Sequence, residues 1–220
     1  MLMIGAFLYE TPPSLPELKV LIGEALSERL LTGRNGPNAP ERLLGCALLQ
    51  KLLPSGCDLR DLQRDSHERP FLVNMEGYLD FSISHTAKTV VCALMTDPGA
   101  ARVGIDAETL TGDLRERAER IAARWFSEGE RAVFAADPRE ETFLSIWTAK
   151  EATVKWTGMG LCELPQIDTS REPILLSDGK TVAVRHYRIR DTLIALCTAA
   201  GTETPEEITV FRRLSELDKR

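Results

Sequence analysis

Apolar positions along the chain switch between two spacings, and the switches mark its elements. Residues 2–9 are almost continuously apolar and predict a buried first strand, ended by Thr11-Pro12-Pro13. From Ser14, which can cap a helix, Leu18, Leu21, Ile22, Ala25, Leu26 and Leu30 recur at helical spacing, predicting one helix to about Leu31. A loop dense in helix breakers, Gly33 to Pro40, leads into a second helix from about Pro40 to Leu53, with Leu43, Leu44, Ala47, Leu48 and Leu52 on its core face. Residues 57–70 are polar and read as a loop or an ill-defined helix closing on Arg69-Pro70. Strand-like runs follow at 71–73, 79–83 and 89–95, and Asp97-Pro98-Gly99 closes a first half. The second half opens on a strand over 102–108. Helices are predicted at 113–124, 127–136 and 138–157, then strands at 173–176, 181–189, 192–199 and 207–213. Strands segregated from helical runs predict an α+β fold with antiparallel sheets. The repeated order of strand, helices and strands fits two similar halves, 1–99 and 100–220, without sequence identity between them.

Composition narrows the setting. Hydrophobic residues make up 43% of the 220 positions and charged ones 27%, as in an ordinary globular protein with a real core. A net charge of −6 argues against indiscriminate nucleic-acid binding, which needs clustered Lys and Arg, but leaves room for one basic pocket that takes a small polyanion. The five cysteines are scattered without a CxxC pair, so a disulfide framework or zinc site is not expected. The apolar start lacks a basic leader, and no run is long enough to span a bilayer. A cytoplasmic protein is expected.

Candidate chemistry gathers in three stretches. In Trp147-Thr-Ala-Lys150-Glu151-Ala-Thr-Val-Lys155, Glu151 and Lys155 are four apart, so they share a helical face with Trp147 one turn earlier. Gly158 and Gly160 then favour a helix exit. Alone, this pair is an ordinary surface salt bridge or half of a site. In Val103-Gly-Ile-Asp106-Ala-Glu108, alternation turns Val103, Ile105 and Ala107 to the core and puts Gly104, Asp106 and Glu108 on the opposite face, the carboxylates roughly 7 Å apart. Such a face is either a solvated strand edge or a place for Mg²⁺ held by carboxylates and substrate phosphates. In Phe81-Ser-Ile-Ser84-His85-Thr86, Ser84 and His85 are structural donors or ligands of a phosphate oxygen. His67 and His186 have no comparable setting. Arg29, Arg34, Arg42 and Arg69 are surface charges or phosphate forks, and Arg42 starts a helix, where free N–H groups also favour an anion.

Taken together, Ser84-His85-Thr86, Val103-Gly-Ile-Asp106-Ala-Glu108 and Trp147 to Lys155, followed by Gly158-Met-Gly160-Leu161, resemble the motifs of the 4′-phosphopantetheinyl transferase superfamily. Their order and spacing are similar to its surfactin-synthetase-activating branch, whose monomers resemble two fused holo-acyl-carrier-protein synthase units. The motifs run from about residue 69 to 161. The resemblance implies a pseudo-dimer of two small antiparallel sheets packed with helices, with an active site between the halves: residues 1–99 on the coenzyme A 3′-phosphate side, 100–220 carrying the metal and catalytic residues. It implies transfer of 4′-phosphopantetheine from coenzyme A to a serine of an apo acyl or peptidyl carrier protein, with release of 3′,5′-ADP. Asp106, Glu108 and Glu151 would hold Mg²⁺, and Glu151, or a water beside it, would take the serine proton. Lys155 would neutralise the phosphates and the departing oxygen, His85 would bind the pyrophosphate, and Ser84 the 3′-phosphate with Arg69 and Arg42. Carrier docking would fall on Thr109–Phe126, with Trp125 and Phe126 as apolar anchors, core packing being the expected role of at least one of them, and with Arg115, Arg117, Arg120 and Arg124 as steering charges that Glu116 and Glu119 dilute. Partners are coenzyme A and the carrier, with no nucleic acid or membrane and a monomeric chain. Where the family has a glycine before its Lys/Arg-Pro pair this chain has Glu68, and Thr86 stands where a serine is usual. The rival readings are a non-catalytic coenzyme A or carrier-protein binder, expected to lack one of Asp106, Glu108, Glu151 or Lys155, and a Mg²⁺-dependent nuclease, expected to carry a basic stripe.

Overall fold

The computed structural model describes residues 1–32, 36–64, 69–74, 77–96, 102–113 and 115–218. Arg34, His67 and Glu68 therefore lie outside the described residues, as does the side chain of Arg115. The chain divides into two compact units, Met1–Ala100 with Pro205–Arg220, and Ala101–Thr204.

In the first unit, β1 (Leu2–Leu8) leads to α1 (Leu15–Ile22), α2 (Glu24–Leu31) and α3 (Ala39–Leu52). The sequence predicts one helix over 14–31, but the structure breaks it at Gly23, whose φ of 99° only glycine adopts without strain. Ser14 starts α1 as expected, in a capping box with Glu17. Within 57–70, read from sequence as loop or ill-defined helix, lie a 3₁₀ turn at Leu59–Asp61 and a short strand, β2 (Leu62–Arg64). Its strand character comes from pairing with β3 (Pro70–Asn74), which three residues of polar sequence do not announce. β4 (Gly77–Thr86) and β5 (Thr89–Met95) complete a hairpin. The sheet order is β10-β1-β5-β4-β3-β2, where β10 (Thr209–Phe211) runs parallel to β1 and every other pairing is antiparallel. Every residue of β5 is buried, and Leu43, Leu44, Leu48 and Leu49 of α3 share a core with Phe7, Phe81 and Leu94. Placing 207–213 in the second half is corrected by this pairing: the C-terminal segment returns to the first sheet, and Leu217 is buried in its core.

The second unit holds β6 (Gly104–Thr109), α4 (Arg115–Trp125), α5 (Glu128–Ala136), α6 (Glu140–Thr157), β7 (Ile174–Leu175), β8 (Thr181–Ile189) and β9 (Thr192–Ala199). Its sheet is antiparallel in the order β6-β9-β8-β7, and α6 packs on it through Ala152, Val154 and Trp156. The α+β class with two largely antiparallel sheets is thus observed.

Candidate active site

The close approach of β6 to α6 builds the first cluster. A Cβ added to Gly104 would stand 2.0 Å from the Ala152 carbonyl oxygen and 2.7 Å from the Trp156 nitrogen, so only a residue without one lets the strand lie against the helix backbone. The Gly104/Asp106/Glu108 face is therefore covered, not solvated: Gly104 and Asp106 are buried and Glu108 is half-buried. Of the two readings open for that face, this burial disfavours the solvated strand edge, and its cause at Gly104 is the helix above it. On α6, Glu151 and Lys155 share a half-buried face, and the helix ends as expected at Gly158, in a left-handed cap that donates to the Val154 carbonyl.

Lys155 Nζ donates to Asp106 Oδ1 at 2.8 Å, joining the two motifs directly. Around this pair the remaining acids feel one another. Burial, then the Asp106 charge, push the Glu108 carboxyl up to about 7; Glu151 adds to the rise, while Arg117 of α4 and Lys155 oppose it. Burial and Asp106 likewise raise Glu151, with Lys155 opposing. Three carboxylates thus share a partly buried setting with the charges of Lys155 and Arg117. Among the described residues no three His, Cys, Asp or Glu side chains are drawn tightly enough together to hold a metal ion. The donor chemistry nonetheless fits Mg²⁺: all three groups offer hard oxygen, and their mutual repulsion is what a cation relieves. With Lys155 against Asp106, side chains must turn for such an ion to be received.

A buried network below this cluster escaped the sequence reading. Lys150, next to Glu151, points into the core, where its Nζ donates to Glu130 Oε2 at 2.7 Å and to the Ile167 carbonyl; both side chains of the pair are fully buried. Burial pushes the Lys150 amine down in pKa, and Glu130 counters this. Glu130 also accepts from Ser127 N at 2.7 Å and from the Thr169 N–H and hydroxyl, each at 2.8 Å. Ser127-x-x-Glu130 is a capping box opening α5, the one signal in the sequence that could have singled out Glu130.

In the first unit the expected anion ligands are only partly gathered. Alternation along β4 puts Phe81, Ile83 and His85 on one face and Ser84 on the other. A cavity of about 640 Å³ on the His85 side is lined by Arg42, Arg64 and His85 over apolar walls that include Phe81 and Ile83; Ser84 is not among its walls. Arg69, expected as a phosphate fork, instead makes a bidentate ion pair with Asp80, with its NH2 group 2.8 Å from Asp80 Oδ2 and both side chains buried. Arg29 is structural, donating to the carbonyls of Leu59 and Arg60 at 3.0 Å each. His186 faces the Ser145 carbonyl at 3.0 Å.

Of the expected docking anchors, Phe126 is core, stacked on Phe143 at 5.5 Å. Trp125 is half-buried under the Arg124 guanidinium, 4.7 Å from the ring centre. Arg117, Arg120 and Arg124 are exposed. Among the described residues no helix is long and apolar enough to cross a membrane.

Comparison with known proteins bears on this constellation. A profile of the 4′-phosphopantetheinyl transferase superfamily matches residues 102–199. The chain is 30% identical over 188 residues to the 4′-phosphopantetheinyl transferase Sfp of Bacillus subtilis, covering 79% of this chain and 80% of that protein. It is 31% identical over 147 residues to HetI of Nostoc sp., covering 62% and 59%, and 29% identical over 134 residues to gsp of Aneurinibacillus migulanus, covering 58% and 52%. The chain thus matches only 59% and 52% of the lengths of these last two relatives.

Proposed function

Because the chain belongs to the 4′-phosphopantetheinyl transferase superfamily, we propose that it moves the 4′-phosphopantetheine of coenzyme A onto a serine hydroxyl of an apo acyl or peptidyl carrier protein. The serine oxygen forms a bond to the β-phosphorus as the bond from that phosphorus to the 3′,5′-ADP oxygen breaks. The serine proton passes to Glu151, directly or through a water, and 3′,5′-ADP leaves with the bonding electrons. The observation that supports this most is the Asp106–Lys155 pair set among Glu108 and Glu151, two acids whose proton affinity is raised.

Each residue then has a physical task. Burial and the Asp106 charge raise the proton affinity of Glu151, the direction that favours a proton acceptor. Lys155 offers a mobile ammonium that can leave Asp106 for the phosphate oxygens and the departing oxygen. Asp106, Glu108 and Glu151 are the groups that would hold Mg²⁺. Bound there, the ion would supply charge neutralisation and orientation of the pyrophosphate, the main needs of phosphoryl transfer. In the first unit, His85 and Arg42 line a cavity of the size and polarity that suit a nucleotide, and we assign them to coenzyme A phosphates. Ser84 and Arg69 are carried as candidates from the family resemblance alone. The chain would work in the cytoplasm as a monomer.

The test is the intact mass of apo carrier proteins of the fatty-acid, polyketide and peptide-synthetase classes after incubation with this protein, coenzyme A and Mg²⁺. A gain of one phosphopantetheine arm is expected, absent with EDTA and with Glu151→Ala. No gain on any carrier, with coenzyme A still bound, would leave a non-catalytic binder. Neither gain nor binding would remove the transferase reading altogether.

A further inference from the structure

We propose that Glu140 is a positioning residue for the carrier-protein acceptor; this rests on the transferase reading above. Its carboxylate holds the turn that follows β6, and with it the first turn of α4, at the rim of the acid cluster before a carrier arrives. Glu140 is the first residue of α6, at the opposite end of that helix from Glu151 and Lys155. Both of its oxygens are engaged by one short stretch of chain. Oε1 accepts from the Thr111 N–H at 2.8 Å and from the Thr111 hydroxyl at 3.0 Å, and Oε2 accepts from the Gly112 N–H at 2.8 Å. Hydrogen bonds to an ionised carboxylate are stronger than those between neutral groups. Gly112 turns the chain here with a φ of 79°, which glycine adopts without strain. An acid in the first turn of a helix is favoured by the helix dipole alone. Glu141, the other acid in that turn, meets Arg188 instead of the loop.

The turn held in this way lies between Glu108 and α4. Pairing of β6 with β9 fixes the strand as far as Thr109, and Leu110 N donates to the Asp191 carbonyl at 2.8 Å. Further on, Ala118 and Ala122 hold the body of α4 in a core with Phe143 and Leu144 of α6. Between these anchors the chain is exposed at Thr111, Gly112, Asp113, Glu116 and Arg117, and the Glu140 carboxylate sets its course. The charge of Arg117 is felt at Glu108, so the first turn of α4 borders the acid cluster. A serine on a folded carrier reaches Glu151 with the carrier surface brought up to that border. Ordering the border in advance removes part of the entropy that binding would otherwise lose. Glu140 has no hydrogen bond to the groups assigned to coenzyme A among the described residues, so donor binding should not depend on it.

The experiment measures transfer kinetics on the full-length protein, varying carrier and coenzyme A in turn, together with amide exchange of the turn. Glu140→Ala should speed exchange at Thr111 and Gly112 by about tenfold or more, as loss of charge-assisted bonds requires. It should raise KM for the carrier by about fivefold, leaving kcat and KM for coenzyme A unchanged. Glu140→Gln should fall between, since its amide oxygen can still accept from Thr111 while its NH2 group cannot accept from Gly112. Gly112→Ala strains the positive φ, although the added Cβ would meet nothing within 4 Å, and should move both readouts the same way. Glu141→Ala should move neither. A carrier KM that stays constant while the turn loosens would overturn the proposal, placing the turn outside the carrier's path. An equal effect from Glu141→Ala would overturn it in favour of helix-end charge, and a fall in kcat with a rise in both KM values in favour of general support of the fold. If wild type modifies no carrier, the transferase reading fails by itself; exchange in Glu140→Ala then still decides whether the carboxylate holds the turn.

Discussion

Glu108 is the residue whose chemistry responds most directly to its surroundings. Its carboxyl is lifted from the ordinary range to about 7, first by burial and then by Asp106. A raised folded-state pKa means that the fold favours the protonated acid. The stabilising contribution is therefore complete below about pH 4.5, declines as pH rises, and is gone above about pH 7, where the ionised group is held against its neighbours. Metal-free protein should accordingly melt at lower temperature at pH 8 than at pH 5.5, and Glu108→Gln should flatten that decline. At pH 8 the variant should gain roughly 1–2 kcal/mol over wild type, a figure reduced from the full shift because the group is only half-buried and solvent screens it. At pH 4.5 the two should melt alike. Mg²⁺ should raise the wild-type melting temperature more at pH 8 than at pH 5.5, since only ionised acids attract it. Thermal melts at these pH values, with EDTA or with Mg²⁺, decide the matter; a Gln variant less stable than wild type at pH 8 would contradict the electrostatic account.

Helix α6 turns one stretch of sequence into two unlike surfaces. Consecutive residues are about 100° apart around a helix, so Glu151 faces the acid cluster while Lys150 enters the core to meet Glu130. That pair ties α6 to the N-terminus of α5 and to residues 167–169, fixing the rotation of the helix that presents Glu151 and Lys155. Lys150→Met should cost about 3–5 kcal/mol, because Glu130 is left as a buried charge without its partner. Lys150→Met with Glu130→Gln should cost less than the sum of the single changes in urea melts, the sign of a coupled pair; strict additivity would show that the pair does not act as a unit. Strong period made β5, β8, β9 and α6 legible from sequence, whereas Asp106, Glu108, Glu151 and Lys155 group only through the family resemblance of their motifs, each motif alone reading as an ordinary surface feature. What stayed hidden depends on contacts. Lys150 reads as one more charge in a charged motif, and Arg69 as a free fork, because Glu130 and Asp80 lie 20 and 11 residues away. The apolar spacing of Leu18, Leu21, Leu26 and Leu30 runs straight through Gly23, so periodicity alone hides the break between α1 and α2.

At the scale of the whole chain, the unit boundary does not follow the sequence order of halves. Pro205–Arg220 belongs with the first unit because β10 adds to β1 in parallel, pairing Gly5, Ala6 and Phe7 with Thr209, Val210 and Phe211. A parallel pairing across some two hundred residues leaves no local trace, which is why the segment reads as part of the second half. Its contribution is concrete. Leu217 is buried in the first unit's core, with Phe211 and Leu214 packed on it, and Lys51 donates to the Asp218 carbonyl at 3.3 Å. Ending the chain after Thr204 would bare the outer edge of β1 along an apolar strand, a template for aggregation, and open a gap where Leu217 sits. Amide exchange in such a truncation should rise in β1 and α3 while α6 and β9 keep their protection, since each core opens according to its own contacts. Equal loss of protection in α6 and β9 would mean that the tail supports the second unit as well. Unchanged protection in β1 would mean that the β10 pairing contributes little, and that β1 is held by its pairing with β5 alone.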